Sequence, residues 1–283
     1  MTLFILIALA VAPSVTLLYY IYNRDRYEKE PRRNLIKAFL LGMIIVIPAT
    51  IIELILVWFF GGAEGLTGAF ISGFVVAGLT EELLKLFVLY KGFYKAPEFN
   101  ERFDGIVYGV FVSLGFATIE NILYVFSGGV SVALTRALTA VPAHALFGVA
   151  MGYYFGRARF ATPNKAKRLL GKAIFIPVLL HGLYDFILFS ANGFLLLGFI
   201  PYMIYIWRRG LKNLNELDKA KDVLIDINNR AHQFHEPLQE GETIEEHMAY
   251  ENHINGYEAN IFPEDVDFDE IAYRDNERYE DEK

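Results

Sequence analysis

Cysteine is absent from this chain of 283 residues. Its absence excludes disulfide bonds, thiolate metal sites and a cysteine nucleophile, but it says little about the compartment. The sequence also lacks a His-Glu-x-x-His motif, which excludes a zinc site of the kind that is built on one such helix. Any metal ligands would therefore have to come from separate helices, which is feasible in a helix bundle.

Long apolar runs are abundant instead. The chain is 54% hydrophobic with a mean hydropathy of +0.31, which is high for a soluble protein. Most runs are long enough for a helix to cross about 30 Å of hydrocarbon. No Lys or Arg precedes the first run, so we interpret it as a retained membrane helix and not a cleaved signal. The pattern predicts an all-α polytopic membrane helix bundle of about seven transmembrane helices, at 2–22, 35–60, 66–91, 103–127, 131–156, 172–190 and 193–207.

The charges divide the chain into two regions. Residues 210–283 contain 21 acidic and 7 basic residues, whereas residues 1–209 carry a net charge of +7. We predict a transmembrane domain over 1–209 and an acidic, mostly disordered tail over 210–283. Basic residues occupy alternate loops between the apolar runs, and the intervening loops have none. The positive-inside rule then predicts a multi-pass protein of the cell membrane with its N-terminus outside and its tail in the cytoplasm.

Ionisable residues interrupt four of the predicted spans. A charge near the bilayer centre costs several kcal/mol, so such residues are normally buried against partners and are often functional. With about 1.5 Å of rise per residue, these side chains fall in a band on the order of 10 Å thick. A common depth predicts one shared site formed by Glu81, Glu82, Lys85, Glu120, Asn121, His144, His181 and Asp185.

The residue types in this band suit hydrolysis. Glu81 or Glu82 can serve as a general base that activates water, and the sequence does not decide between them. His144 and His181 can stabilise an oxyanion, and Glu120 completes the set. Lys85, Asn121 and Asp185 are expected to support these residues, as the spacing of Lys85 from Glu81 and of Asp185 from His181 puts each pair on one helix face. Alternatively, Glu82, His144 and His181 can bind Zn²⁺ and leave a fourth position for water, so metal-dependent and metal-free mechanisms both stay open.

Four short motifs resemble the PrsW family of intramembrane proteases, which degrade anti-sigma factors in Gram-positive bacteria. They comprise Glu81-Glu82 followed by Lys85, Phe116 followed by Glu120 and Asn121, Pro142 to His144, and His181 followed by Asp185. The resemblance covers about residues 15–207. It implies peptide-bond hydrolysis of a single-span membrane protein similar to an anti-sigma factor, with the lipid bilayer as surroundings and no nucleic acid as partner.

The more distantly related CAAX-processing and bacteriocin-immunity superfamily differs at two positions. It usually has Arg one position after Lys85 and His where this chain has Glu120. PrsW proteins are classed as metalloproteases, whereas these relatives are better described as glutamate-dependent and metal-free.

Two other functions fit parts of the same pattern. A proton-coupled transporter or channel could use the same Glu and His side chains as a proton relay, although paired repeats would then be expected. A sensor or scaffold could instead use the acidic tail to recruit a basic partner.

Overall fold

The computed structural model describes the backbone of residues 2–25 and 28–234 and the side chains of residues 4–25 and 28–219. Every regular element in these ranges is a helix, which confirms the predicted all-α class. The chain divides into two compact units, residues 1–214 and 215–283. The domain boundary at 209 stays a prediction, and the predicted disorder concerns residues that lie largely outside the described ranges.

Ten α-helices and one π-helix are found in the described part of the chain. The π-helix, Ile71–Leu79, joins α4 to α5 without a break. In chain order the α-helices are α1 (Thr2–Arg24), α2 (Arg32–Ile44), α3 (Val46–Phe60), α4 (Gly65–Phe70), α5 (Thr80–Phe93), α6 (Arg102–Leu138), α7 (Ala140–Arg159), α8 (Pro163–Phe189), α9 (Gly193–Leu197) and α10 (Phe199–Phe234).

Several of these helical segments are apolar and long enough to cross a membrane. They are Phe4–Arg24, Arg32–Phe60, Arg102–Arg159 and Pro163–Phe189. The third is 58 residues long and contains both α6 and α7, so it can cross twice. These segments confirm a multi-pass membrane protein. The predicted third span corresponds to α4, the π-helix and α5, and the predicted seventh to α9 and the start of α10.

Glycines allow α6 and α7 to pack with their backbones in contact. A Cβ atom on Gly152 would lie 2.2 Å from the Gly105 carbonyl oxygen, and one on Gly109 would lie 2.7 Å from that of Gly148. Small residues four apart permit this approach, which is a common way for membrane helices to associate. The contact holds α6 against the helix that carries His144.

The long helix α6 is bent sharply at Gly129, whose φ of 70° and ψ of −157° are not helical. Before the bend Val125 and after it Ala133 both pack in one cluster with Ala10 of α1. The chain therefore doubles back at Gly129. The next break is at Thr139, and α7 starts immediately before Pro142, which is tolerated in a first helical turn.

The link between α1 and α2 is tied to α6 by buried polar groups, and Glu30 of this link lies outside the membrane-spanning segments. The Tyr108 hydroxyl donates a hydrogen bond to the Glu30 carboxylate, and the Asn34 amide donates to the Tyr108 hydroxyl at 3.4 Å. Burial raises the pKa of Glu30 to about 7. This group fixes the start of α2 against α6, well away in sequence from the predicted catalytic residues.

Candidate active site

The crossing of the π-helix and α8 positions two of the predicted motifs, the one that begins at Glu81 and the one that begins at His181. A Cβ on Gly78 would lie 3.0 Å from the backbone nitrogen of Gly182, and one on Gly73 would lie 2.7 Å from that of Phe186. Glu81 follows Gly78 by three residues, and His181 precedes Gly182. The close crossing therefore brings the start of α5 against the middle of α8. π-helical turns of this kind are rare and frequently occur at functional sites.

Glu81, Glu82 and Lys85 form a buried ionic group on α5. The Lys85 ammonium donates to Glu82 Oε1 at 2.7 Å and to Glu81 Oε2 at 3.0 Å. Lys85 and Glu82 are 0% exposed. The spacing of three and four residues puts both carboxylates within reach of Lys85 on one side of the helix, as the sequence predicts for Glu81 and Lys85. Each carboxylate is thereby paired with a charge of opposite sign, which a buried charge requires.

His181 joins this group from α8. Its Nδ1 lies 2.9 Å from Glu82 Oε1, and its Nε2 lies 3.2 Å from Asp185 Oδ2. Asp185 therefore has the place expected of a residue that orients the imidazole. Both ring nitrogens face carboxylate oxygens, so the neutral ring can donate to one of the two carboxylates and the protonated ring to both.

His144 enters from the first turns of α7. Its Nδ1 lies 3.3 Å from the Lys85 ammonium, and its Nε2 lies 2.9 Å from Glu120 Oε2. An ammonium group only donates hydrogen bonds, so Nδ1 accepts from Lys85 and the Nε2 proton is directed to Glu120. The hydroxyl of Ser113 donates to the His144 carbonyl oxygen at 2.6 Å and holds this part of α7 against α6.

The predicted residues of α6 divide between two environments. Glu120 contacts His144, so it belongs to the clustered side chains. Asn121 instead donates to the Ala10 carbonyl oxygen of α1 at 2.7 Å and accepts from Arg136 Nε at 2.9 Å. Its support for the site is therefore indirect, through the packing of α1 and the placement of Arg136.

Two aromatic rings pack against this cluster of side chains, and the sequence did not predict one of them. Phe147 stacks on His181 with ring centroids 5.0 Å apart and an interplanar angle of 22°. Phe116, part of the second motif, has the Lys85 ammonium 4.4 Å above its ring centroid. The spacing of Phe147 from His144 by three residues is a signal that could have identified it, since both then share a helix face.

Arg136 and Glu53 are charged residues whose proximity to the site the sequence did not indicate. Arg136 has Nη2 3.0 Å from Glu120 Oε2. Glu53 of α3 is within electrostatic range of Glu120 and His181, and its Oε1 is buried with no hydrogen-bond partner among the described residues. Both charges interrupt apolar sequence, which is a signal that could have identified them, but Arg136 lies near the end of a predicted span, where a charge costs less.

The grouped side chains fit a metal ion in donor type, number and spacing. Glu81, Glu82, His144 and His181 each offer a ligand atom, and these atoms lie within 4.8 Å of one another. Glu82 Oε2 is buried and has no hydrogen-bond partner in the described part of the chain. Carboxylate oxygens and imidazole nitrogens are ordinary Zn²⁺ ligands. The Lys85 ammonium contacts three of the four donor residues, so a metal would compete with it.

Comparisons with known proteins give one consistent result. The family model described as PrsW family intramembrane metalloprotease matches residues 30–207. The Protease PrsW of Bacillus subtilis (strain 168) is 41% identical over 221 residues, which is 78% of this chain and 98% of that protein.

Relatives from two further organisms agree. The Protease PrsW of Geobacillus kaustophilus (strain HTA426) is 41% identical over 217 residues, 76% of this chain and 92% of that protein. That of Clostridioides difficile (strain 630) is 39% identical over 219 residues, 76% of this chain and 90% of that protein. No solved structure matches the chain.

Proposed function

Because the chain belongs to the PrsW family of intramembrane metalloproteases, we propose that it hydrolyses peptide bonds at the cluster of Glu81, Glu82, His144 and His181. As a member of this family it is a membrane-embedded hydrolase. The observation that carries the assignment is the burial of two carboxylates and two imidazoles with ligand atoms within 4.8 Å. Family membership also favours the protease over the transporter and scaffold alternatives.

Glu82 is the proposed general base. A base needs an oxygen with a free lone pair within reach of the attacking water. Glu82 Oε1 is engaged by Lys85 and His181, whereas its Oε2 is buried without a hydrogen-bond partner among the described residues. In the proposed reaction Glu82 takes a proton from water as the oxygen attacks the peptide carbonyl. The same proton passes to the leaving amine when the C–N bond breaks.

His181 stabilises the charge that develops on the carbonyl oxygen, because its N–H group lies beside the proposed base and can donate to an oxyanion. His144 has its proton directed to Glu120, so it offers the cluster an Nδ1 lone pair, which can accept from Lys85 or bind a metal ion. Asp185 orients His181, and Glu120 orients His144 through contacts of 3.2 and 2.9 Å. Lys85 keeps Glu81 and Glu82 paired, and Asn121 fixes α1 and Arg136 behind Glu120.

In a metal-dependent alternative, Zn²⁺ held by Glu82, His144 and His181 would supply a Lewis acid at this position, and Glu81 would then serve as the base in place of Glu82. We propose zinc as the metal, because carboxylate oxygens and imidazole nitrogens are its ordinary ligands. The Lys85 ammonium contacts Glu81, Glu82 and His144, so zinc would compete with it, and this competition can be measured.

The substrate class and the membrane orientation are proposed on separate grounds. We propose a single-span membrane protein similar to an anti-sigma factor as substrate, because the resemblance of the motifs to the PrsW family implies it. The alternation of basic and uncharged loops supports insertion in the cell membrane with the N-terminus outside and the acidic tail in the cytoplasm.

Replacement of the proposed base and histidine tests the assignment. Glu82→Ala and His181→Ala are each expected to lower cleavage of a co-expressed single-span substrate by at least about 100-fold, which is what a general acid or base contributes. Cleavage is read by immunoblotting of the substrate. Membrane abundance of each variant should stay at the level of the unchanged protein.

Glu98→Ala is the matched control, since Glu98 is an exposed glutamate in the loop between α5 and α6. This variant should cleave normally. Retained cleavage in Glu82→Ala or in His181→Ala would disprove the assigned roles.

A further inference from the structure

Arg136 reaches the site only because α6 doubles back. In a straight helix Asn121 and Arg136, 15 residues apart, would be separated by about 22 Å. The bend at Gly129 lies midway between them, and the Arg136 Nε donates to Asn121 Oδ1 at 2.9 Å. The left-handed φ of 70° at Gly129 favours glycine and permits this return.

The guanidinium group is held on three sides. Besides its bond to Asn121, Nη2 lies 3.0 Å from Glu120 Oε2, and the guanidinium carbon lies 4.1 Å from the centroid of the Tyr124 ring. The side chain is only 14% exposed. A cation this deep in an apolar bundle is costly unless it is paired. Its partner Glu120 supplies the opposite charge.

Glu120 connects Arg136 to His144. The same oxygen, Oε2, contacts Arg136 Nη2 at 3.0 Å and His144 Nε2 at 2.9 Å. The position of Arg136 therefore fixes where the acceptor for the Nε2 proton lies. With that proton on Nε2, the Nδ1 lone pair points to the centre of the cluster, where Lys85 lies.

We propose that Arg136 is a positioning residue for the reaction, which acts through Glu120 to hold the His144 imidazole in its working orientation and tautomer. Arginine suits this place because its Nε donates to Asn121 Oδ1 while its Nη2, which has no hydrogen-bond partner among the described residues, lies 3.0 Å from Glu120 Oε2 as an ion pair. The point charge of lysine cannot match that geometry. The proposal rests on the proposed function, but the effect of Arg136 on the His144 imidazole can be measured without catalysis.

The kinetic test uses a double-mutant cycle. Arg136→Met is expected to lower kcat about 10- to 100-fold, the usual effect of residues that orient active-site ligands, with KM changed less than about 3-fold. Arg136→Lys, which retains the charge, should recover part of the loss. If Arg136 acts through Glu120, its loss should matter little once Glu120 is replaced. In a Glu120→Gln background, Arg136→Met should therefore lower kcat by less than about 3-fold.

The spectroscopic test uses ¹⁵N-histidine-labelled protein in micelles. Arg136→Met should shift the His144 Nε2 resonance, which is assigned by its loss in His144→Asn. Arg157→Met is the matched control, since Arg157 also lies over a tyrosine ring, that of Tyr153, but near the far end of α7. It should leave both kcat and the His144 resonance unchanged.

Three results would overturn the proposal. One is an equal loss of kcat from Arg136→Met in the unchanged and Glu120→Gln backgrounds. Another is a His144 resonance that stays in place. The third is a normal kcat per folded molecule with only a lower thermal stability. Failure of the proposed function has a different signature, in which the unchanged protein does not cleave while the His144 shift still occurs.

Discussion

Lys85 places a positive charge among the side chains that would ligate a metal ion. Its ammonium group contacts Glu81, Glu82 and His144 at 3.0, 2.7 and 3.3 Å. An internal cation compensates the two carboxylates whether or not a metal is bound. The same group opposes binding of a second cation, because even two unit positive charges about 4 Å apart repel by about 4 kcal/mol at an effective dielectric constant near 20.

Removal of the Lys85 charge should therefore strengthen zinc binding. Lys85→Met, which keeps most of the side-chain volume, is expected to raise zinc affinity at least about tenfold, which requires only part of that repulsion. Zinc content is measured by mass spectrometry of detergent-solubilised protein at buffered free zinc concentrations.

Lys91→Met is the control for this measurement, because Lys91 lies in the last turn of the same helix and is exposed. It should not change the zinc content. A lower zinc content in Lys85→Met than in the unchanged protein would mean that Lys85 supports the metal site and does not compete with it.

The interface between α6 and α7 determines whether Glu120 and His144 can meet. These residues are 24 positions apart, and they lie on helices whose backbones touch at Gly105, Gly109, Gly148 and Gly152. A side chain at any of these glycines would meet the opposite backbone, which cannot rotate away as a side chain can. The contact between the second and third motifs, which carry Glu120 and His144, thus depends on residues with no side chain of their own.

A methyl group at Gly152 should separate the two helices. In Gly152→Ala the Cβ would lie 2.2 Å from the Gly105 carbonyl oxygen, so the helices must shift. We expect a loss of about 1–3 kcal/mol of stability, as for other overpacked sites, and reduced cleavage. The measurement is the Tm of the protein in detergent.

Gly171→Ala provides the comparison, since Gly171 lies in α8 with no atom within 4 Å of a Cβ among the described residues. Alanine there should be neutral or stabilise the helix by up to about 1 kcal/mol. An unchanged Tm in Gly152→Ala would contradict the close packing of α6 and α7.

The absence of cysteine makes the orientation of the whole molecule measurable. Single cysteines can be introduced without any background thiol. In intact cells, Gly62→Cys in the loop before α4 should react with a membrane-impermeant maleimide, whereas Lys167→Cys at the start of α8 should react only after lysis. Both positions are exposed. This expectation follows from the excess of basic residues in the loop around Lys167.

The reverse labelling pattern would place the N-terminus inside and the acidic tail outside the cell. Labelling of both positions from outside would disprove the predicted number of crossings between them. Neither result would affect the geometry of the catalytic cluster.

Much of the site was predictable because membrane burial is costly for ionisable groups. Glu81, Glu82, His144 and His181 stand out in apolar runs, and helical spacing alone pairs Lys85 with Glu81 and Asp185 with His181. The role of Arg136 was not predictable in this way. Its contact depends on a reversal at Gly129, and the sequence places it near the end of a predicted span.

The sequence by itself determined the all-α membrane architecture and the family, because a bilayer permits only a few ways to satisfy the backbone and because the motifs lie in a fixed order. The tertiary structure decided which of these polar groups touch. These contacts depend on close helix crossings at glycines and on the reversal of α6 at Gly129, and both are properties of packing between distant segments. The lack of cysteine, which excluded thiolate chemistry, left the Glu and His side chains as the available ligands, and only their contacts in three dimensions made them one site.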